Sequence, residues 1–232
     1  MARGQADYLD TPKINVNRQR VKICGLRHPS QAQAITALGF QTLGFICVPT
    51  SPRYVTPQQI RDIMALLSPT IATIGVFANQ AAEEIEAVVK ETGLTGIQLH
   101  GNETPAFCQQ LRRQCPGQEL IKALRIPQAS ALEQASAYYA VVDSLLLDAY
   151  HPEQLGGTGH TLPWADLGIF QPPIPWFLAG GLTPNNVALA LSYLQPDGLD
   201  LSSGVEVAPG DKDLEKVQSL KLALAQAGWT LA

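Results

Sequence analysis

Two apolar segments of the sequence end in residues that could transfer protons. Cys24 closes the run RVKIC, and Asp148 closes the run SLLLD. A thiolate can act as a general base and a carboxyl group as a general acid. Cys24 serves as a base only if a nearby cation or helix N-terminus lowers its pKa from the free value of about 8.5. The alternative is a buried thiol that fills space as a small hydrophobic residue.

The acid candidate has a second interpretation as well. Asp148 follows three leucines, so its carboxyl group is expected to be partly desolvated, which raises the pKa and suits it to donate a proton. Alternatively, the carboxylate caps the loop that follows. His100, in IQLHGNE, either lines the same site or is a structural histidine. The four histidines and four cysteines show no metal-ligand spacing, so we expect no metal.

Two glycine-containing segments are suited to bind an anion. Gly180 and Gly181 let the backbone approach a ligand closely, and the LTPNNV segment after them predicts a helix N-terminus with free N–H groups. Ser203 and Gly204, in SSGVE, would add donors, whereas a simple tight turn is the alternative for the glycine pair. Arg53, in SPRYV, offers a planar guanidinium that suits a carboxylate. Otherwise it is a solvated loop charge.

Short apolar runs alternate with helical patterns eight times between Arg20 and the C-terminus. Within each run, both the odd- and the even-numbered residues are apolar. This is typical of parallel strands that are covered on both faces. Helical spacing behind Thr56 and Pro57 predicts one helix, and a similar pattern behind Thr183 and Pro184 predicts another. QASALEQASAYY is predicted to be helical, and PWADL is a weak helix.

Eight successive units predict an α/β fold, a single (β/α)8 barrel over residues 20–232. An open doubly wound sheet is the alternative, although the sequence has neither G-x-G-x-x-G after its first strand nor a P-loop. Barrel enzymes carry their reacting groups at the C-terminal ends of the strands. Ring closure would therefore place the glycine and serine segments between Asp148 and Cys24.

Composition narrows the choice of partners. The formal net charge is −4 and no dense Lys/Arg cluster occurs, which argues against nucleic acid or an anionic membrane as a partner. No apolar run approaches the roughly 20 residues that cross a bilayer. Without a signal peptide or a CxxC motif, a cytoplasmic protein with free thiols is expected. Residues 1–19 are predicted to be a flexible extension, and the barrel a monomer or homodimer.

Eight motifs occur in one order along the chain, and in that order they resemble the phosphoribosylanthranilate isomerase family of tryptophan biosynthesis. The resemblance runs from about Arg20 to the C-terminal helix. The motifs are KICGL (22–26), SPRYV (51–55), GVFAN (75–79), IQLHGNE (97–103), LLLD (145–148), GGTG (156–159), AGGLTPNNV (179–187) and DLSSGVEVAPGDKD (200–213).

The resemblance implies a cofactor-free barrel that catalyses an Amadori rearrangement of a small phosphosugar-anthranilate substrate. By this resemblance Asp148 is the general acid that opens the ribose ring, and Cys24 is the general base that takes the proton from C2′. Arg53 then holds the anthranilate carboxylate. The remaining assignments are Asp200 for the sugar and Gly180, Gly181, Ser203 and Gly204 for the phosphate.

Three other functions stay open. The related indole-3-glycerol phosphate synthase relies on lysine and glutamate, whereas the strand ends here carry Cys24 and Asp148. A dual-substrate isomerase that also serves histidine biosynthesis usually has aspartate at both catalytic positions, and Cys24 argues against it. A phosphosugar-binding barrel without catalysis would need the anion site but no acid and base. Turnover separates that last class from an enzyme.

Overall fold

The computed structural model describes residues 19–126, 129–148 and 164–231. Except for Gln19, the predicted flexible extension 1–19 lies outside these residues, as does the GGTG segment. The side-chain oxygen of Gln19 accepts a hydrogen bond of 3.0 Å from the Thr230 amide. The start of the described chain is thereby tied to its C-terminal end.

Eight parallel strands form a closed barrel in chain order. β1 pairs with both β2 and β8, which closes the ring and excludes the open sheet. The predicted (β/α)8 barrel is therefore confirmed. The strands are β1 (Arg20–Cys24), β2 (Thr42–Ile46), β3 (Ala72–Phe77), β4 (Gly96–Leu99), β5 (Glu119–Arg125), β6 (Ser144–Asp148), β7 (Trp176–Ala179) and β8 (Gly198–Leu201).

Helices surround the barrel, and one of them begins where the sequence predicts. Thr56 Oγ1 accepts a hydrogen bond from the Gln59 amide, and the Gln59 side chain accepts one from the Thr56 amide, so a capping box starts α2 at Pro57. The helices are α1 (Pro29–Ala37), α2 (Pro57–Met64), α3 (Ala82–Thr92), α4 (Pro105–Gln114), α5 (Trp164–Leu167), α6 (Val187–Tyr193) and α7 (Leu214–Gln226).

The connection between β5 and β6 differs from the predicted α-helix. Residues Ala129–Tyr138 form a 3-10 helix. The side chains of this segment that pack on the core are Ala131, Leu132, Ala135 and Tyr138. Ala131, Ala135 and Tyr138 also have the i, i+4, i+7 spacing of an α-helix, so the apolar pattern does not separate the two helix types.

Two further differences affect the rim of the barrel. α6 begins at Val187 rather than directly after Thr183. In the turn before it, the Thr183 carbonyl accepts from the Val187 amide, and Asn186 Oδ1 accepts a hydrogen bond of 2.7 Å from the Thr183 amide. After β8, a 3-10 turn (Ser203–Val205) leads into a two-stranded hairpin that the sequence analysis did not predict. Its strands are β9 (Glu206–Ala208) and β10 (Asp211–Lys212).

The strand alternation divides the core into two parts. Outward-facing side chains such as Val21 and Ile23 join the large layer between barrel and helices. A smaller cluster fills the barrel itself and consists of Ile74, Ile121, Ala123, Leu146, Phe177 and Ala179. Among the described residues, no helix is long and apolar enough to cross a membrane.

Candidate active site

Lys22 and Cys24 alternate with outward-facing residues on β1 and therefore point into the barrel. In the strand register, Lys22 lies opposite Asp200 of β8 and Cys24 lies opposite Gly44 of β2. Lys22 Nζ is 3.0 Å from Asp200 Oδ1. The lysine is fully buried and the cysteine is 4% exposed. Lys22 therefore lies inside the barrel, next to the thiol.

The electrostatics of this group decide the protonation of the thiol. Burial raises the pKa of Cys24, and the ammonium of Lys22 opposes the rise only in part. Burial also acts to lower the pKa of Lys22, but Asp200 and Cys24 outweigh it and the net pKa is raised. The predicted cation is present. The condition stated for a basic thiol is met only in part, because Lys22 acts to lower the pKa of Cys24 but burial outweighs it.

β2 leaves room for both inward-facing side chains by placing a glycine opposite them. A Cβ at Gly44 would lie 2.7 Å from Cys24 Sγ and 2.9 Å from Lys22 Cε. These distances are shorter than van der Waals contact, so any larger residue at Gly44 would displace the thiol or the lysine.

Asp148 lies at the end of β6 and contacts the residue that directly follows β4. Its Oδ2 is 3.2 Å from His100 Nε2, and His100 Nδ1 is 3.2 Å from Gln98 Nε2. The carboxylate and imidazole side chains are 19% and 25% exposed, whereas Gln98 is buried. Both interpretations of His100 therefore hold, since it lines the barrel mouth and is hydrogen-bonded.

Arg53 is held by a carboxylate from the hairpin. Its Nε donates to both oxygens of Glu206 at 3.0 and 3.1 Å, and its Nη2 donates to Oε2 at 2.6 Å. None of these bonds uses Nη1. The Arg53 side chain is 23% exposed, which excludes the interpretation of a freely solvated loop charge.

Glu206 and Lys212 are site residues that the sequence analysis missed. Lys212 Nζ lies 2.7 Å from Glu206 Oε1, and both side chains are buried. Burial acts to raise the pKa of Glu206, but the hydrogen bonds from Arg53 and Lys212 outweigh it and the pKa is lowered. The available signal was an acidic and a basic residue on either side of the PG turn in DLSSGVEVAPGDKD.

The predicted phosphate residues meet at one place. Gly180 and Gly181 have φ angles of 90° and 64°, which favour glycine. A Cβ at Gly204 would lie 1.8 Å from the Leu182 carbonyl oxygen, so the turn after β8 rests directly on the loop after β7. The expected free N–H groups are fewer than predicted, because Asn186 already accepts from Thr183.

The order of strands around the ring sets the relation between these groups. β7 and β8 lie between β6 and β1, so the glycine and serine loops separate Asp148 from Cys24. All of these residues lie at or just after the C-terminal ends of their strands. The arrangement can hold an anion between a proton donor and a thiol.

The other thiols have a different character. Burial raises the pKa of Cys47 to about 12 and that of Cys108 to about 11. Cys108 is fully buried on α4, outside the barrel wall. Both therefore stay protonated and serve as packing residues.

A cavity of about 330 Å³ opens at the opposite end of the barrel. Its lining includes Arg20, Thr42, Ala72 and Glu119, which begin their strands. Arg20 and Glu119 form a two-bonded ion pair there. Since none of the candidate catalytic residues lines it, this cavity is separate from the site at the C-terminal rim.

Comparisons with known proteins agree on one family. The family described as N-(5'phosphoribosyl)anthranilate (PRA) isomerase matches residues 21–221. An N-(5'-phosphoribosyl)anthranilate isomerase from Rippkaea orientalis is 58% identical over 207 residues, which cover 89% of this chain and 96% of the relative.

Solved structures give the same result. The phosphoribosyl anthranilate isomerase from Thermotoga maritima is 33% identical, with a TM-score of 0.82 over 90% of this chain and 99% of its own. A second such isomerase, in complex with reduced 1-(o-carboxyphenylamino)-1-deoxyribulose 5-phosphate, is 31% identical with a TM-score of 0.75, over 90% of this chain and 99% of its own.

Proposed function

The chain belongs to the N-(5'-phosphoribosyl)anthranilate isomerase family of tryptophan biosynthesis, and from this premise we propose an acid–base mechanism in which Asp148 and Cys24 transfer the protons. The reaction converts N-(5-phosphoribosyl)anthranilate into 1-(2-carboxyphenylamino)-1-deoxyribulose 5-phosphate. The observation that carries the proposal is the position of Asp148 and Cys24 at the C-terminal ends of β6 and β1, with the β7 and β8 loops between them.

The chemistry needs one acid and one base. Asp148 donates a proton to the ribose ring oxygen, the C1′–O bond breaks, and the nitrogen lone pair forms a protonated Schiff base. Cys24, in the thiolate form that Lys22 favours against the effect of burial, then takes the proton from C2′, and the electron pair of that C–H bond forms the C1′–C2′ double bond of an enolamine. Return of a proton to C1′ converts the C2′ enol into the ketone. Oxidation at C2′ balances reduction at C1′, so no electron leaves the substrate.

The remaining contacts orient the substrate. Arg53 keeps Nη1 outside its bonds to Glu206, and we assign that group to the anthranilate carboxylate. Asp200 would accept a hydrogen bond from a sugar hydroxyl while it stays beside Lys22. The backbone of Gly180, Gly181, Ser203 and Gly204 would hold the phosphate.

The first experiment follows the loss of substrate fluorescence on addition of the protein. Cys24→Ala and Asp148→Ala are each expected to reduce kcat by several orders of magnitude, because each removes a proton-transfer group. Cys108→Ala is the matched control, since it removes a buried thiol outside the site and is expected to keep turnover. Circular dichroism would verify that all three variants are folded.

One alternative class has a defined outcome in the same experiment. If the wild type binds the product analogue but does not turn over substrate, the chain is a phosphosugar-binding barrel and Cys24 is a packing residue. Equal turnover by the wild type and both active-site variants would reject the acid–base pair. The predictions of a cytoplasmic location and of a monomer or homodimer stay predictions.

A further inference from the structure

A chain of three polar side chains leads from the barrel interior to the acid candidate. Gln98 Nε2 lies 3.2 Å from His100 Nδ1, and His100 Nε2 lies 3.2 Å from Asp148 Oδ2. Gln98 is 1% exposed, and its Oε1 has no hydrogen-bond partner within the described part of the chain. A buried amide oxygen without a partner is costly, and a second state in which it is hydrogen-bonded would explain why it is kept.

The observed contacts define one protonation state of this chain. The Gln98 amide nitrogen can only donate, so His100 Nδ1 must accept and carries no proton. In the neutral ring the proton then lies on Nε2 and is donated to Asp148 Oδ2, which accepts it most strongly as an ionised carboxylate. This is the state without the transferable proton.

A half-turn of the Gln98 amide defines the other state. Oε1 would then face Nδ1 and accept a hydrogen bond from an Nδ1–H group. With Nδ1 protonated, one extra proton is held between His100 Nε2 and Asp148 Oδ2, on either atom. The pair is now loaded with the proton that the proposed reaction needs. The unpartnered oxygen acquires a partner in this state alone.

We propose that Gln98 is a positioning residue whose amide turns over as the His100–Asp148 pair gains and loses the proton delivered to the substrate ring oxygen. The inference deepens the proposed function and rests on the role of Asp148 in it. Gln98 does not contact the substrate. It acts through His100, by offering a donor to the unloaded ring and an acceptor to the loaded ring.

The charged groups nearest this pair in the described part of the chain lie on β5 and in the loop after β4. Arg125, on β5, is the register neighbour of Asp148 on one side, and Ala179 of β7 is the neighbour on the other. Behind His100, Glu103 and Lys122 form a buried ion pair of 2.8 Å. These groups are unchanged in the variants below, so a shift in the titration of the pair would report on residue 98.

The test follows His100 by NMR of ¹⁵N-histidine-labelled protein without substrate. In the unloaded wild type we expect the proton on Nε2 and a bare Nδ1. Gln98→Glu offers only acceptor atoms, so the titration midpoint of the pair is expected to rise by at least about one pH unit. Gln98→Met removes the hydrogen bond between residue 98 and His100 Nδ1 in both the loaded and the unloaded state. Because the bond to the loaded ring is the stronger one, the midpoint is expected to fall by about half a pH unit.

Gln114→Met is the matched control. Its Oε1 is likewise buried and without a partner within the described residues, and it lies at the end of α4. No shift of the His100 midpoint is expected there. In kcat/KM, the pH limb that reports the acid is expected to move with the NMR midpoint in both Gln98 variants. A merely structural role would lower the rate without moving the limb.

Each arm can overturn the inference by itself. A proton on Nδ1 in the unloaded wild type, an unchanged or lower midpoint in Gln98→Glu, or an unchanged or higher midpoint in Gln98→Met would reject it. If Gln98→Glu does not fold, the other two arms decide. Since the NMR titration needs no turnover, expected shifts in an inactive wild type would uphold the hydrogen-bond chain and reject only the proposed reaction.

Discussion

The two sides of the barrel mouth hold their proposed proton-transfer groups by different means. On the base side, Cys24 lies against an ion pair of Lys22 and Asp200 whose side chains are 0% and 9% exposed. On the acid side, Asp148 belongs to a hydrogen-bonded chain with His100 and Gln98, and the Asp148 and His100 side chains are 19% and 25% exposed. Fixed charge dominates one side, and reversible hydrogen bonds dominate the other.

The difference follows from what each group has to do. Burial alone makes a thiolate unfavourable, so a base inside the barrel requires a permanent cation beside it. An acid must give up its proton and recover it in every turnover, and hydrogen bonds that can be exchanged permit this without an unpaired charge in either state. The site thus combines a fixed ion pair beside Cys24 with exchangeable hydrogen bonds beside Asp148.

The largest expected effect is on the base side. Lys22→Met leaves Asp200 without its cation, so the free energy of unfolding is expected to fall by about 3–5 kcal/mol. Loss of the cation beside Cys24 is expected to lower kcat/KM by about 10- to 1000-fold. Urea unfolding and initial rates measure the two effects. The double variant Lys22→Met/Asp200→Asn is expected to regain stability but not activity, and full activity in either variant would refute the role of the cation.

A steric change tests how rigid the base side is. Gly44→Ala places a methyl group 2.7 Å from Cys24 Sγ, and crowding of this kind costs about 1–3 kcal/mol. We expect reduced stability in thermal unfolding together with a lower kcat, because the thiol moves. Gly117→Ala is the control, since a Cβ at Gly117 has no atom within 4 Å. Equal behaviour of the two variants would show that the base side is adaptable.

The smallest effect is the acid sensitivity of the base side. The pKa of Glu206 is lowered below its ordinary value of 4.5, so its stabilising contribution is complete above that pH and is lost as the pH falls through the folded-state pKa. The free energy of unfolding is expected to decrease below pH 4.5, by at most about 1.4 kcal/mol per pH unit from this residue. Urea unfolding measured at several pH values from 7 to 3 gives the free energy of unfolding as a function of pH. This free energy should decrease less steeply with falling pH in Glu206→Gln than in the wild type. If the wild type and Glu206→Gln lost stability equally steeply with falling pH, the acid sensitivity would come from residues other than Glu206.

Local patterns predict much of this molecule. The capping residues Thr56 and Pro57 mark the start of α2, and the apolar strands end at Cys24 and Asp148 where the sequence indicates. Such features depend on neighbouring residues and on the alternation of side chains. Once the strands are assumed to close into a ring in chain order, the order of the loops around the rim follows directly.

Local patterns do not predict which side chains contact the catalytic candidates. Whether Lys22 faces Asp200 depends on the register between the first and last strands, and periodicity within a strand does not specify it. The same holds for Gln98 and His100 beside Asp148, and for Arg53 beside Glu206. The 3-10 helix Ala129–Tyr138 was missed because a threefold spacing of small residues differs little from a helical one over one short segment.

Lys22 and Asp200 lie 178 residues apart in the chain, and this separation affects when the base side can form during synthesis. A polypeptide emerging from the ribosome carries Lys22 and Cys24 almost from the start, but their carboxylate partner is synthesised near the end. Contacts of such long range form only after the intervening chain has been brought together. The base side is therefore complete only once β8 has joined the barrel, and a nascent fragment without β8 would contain the thiol but not the ion pair beside it.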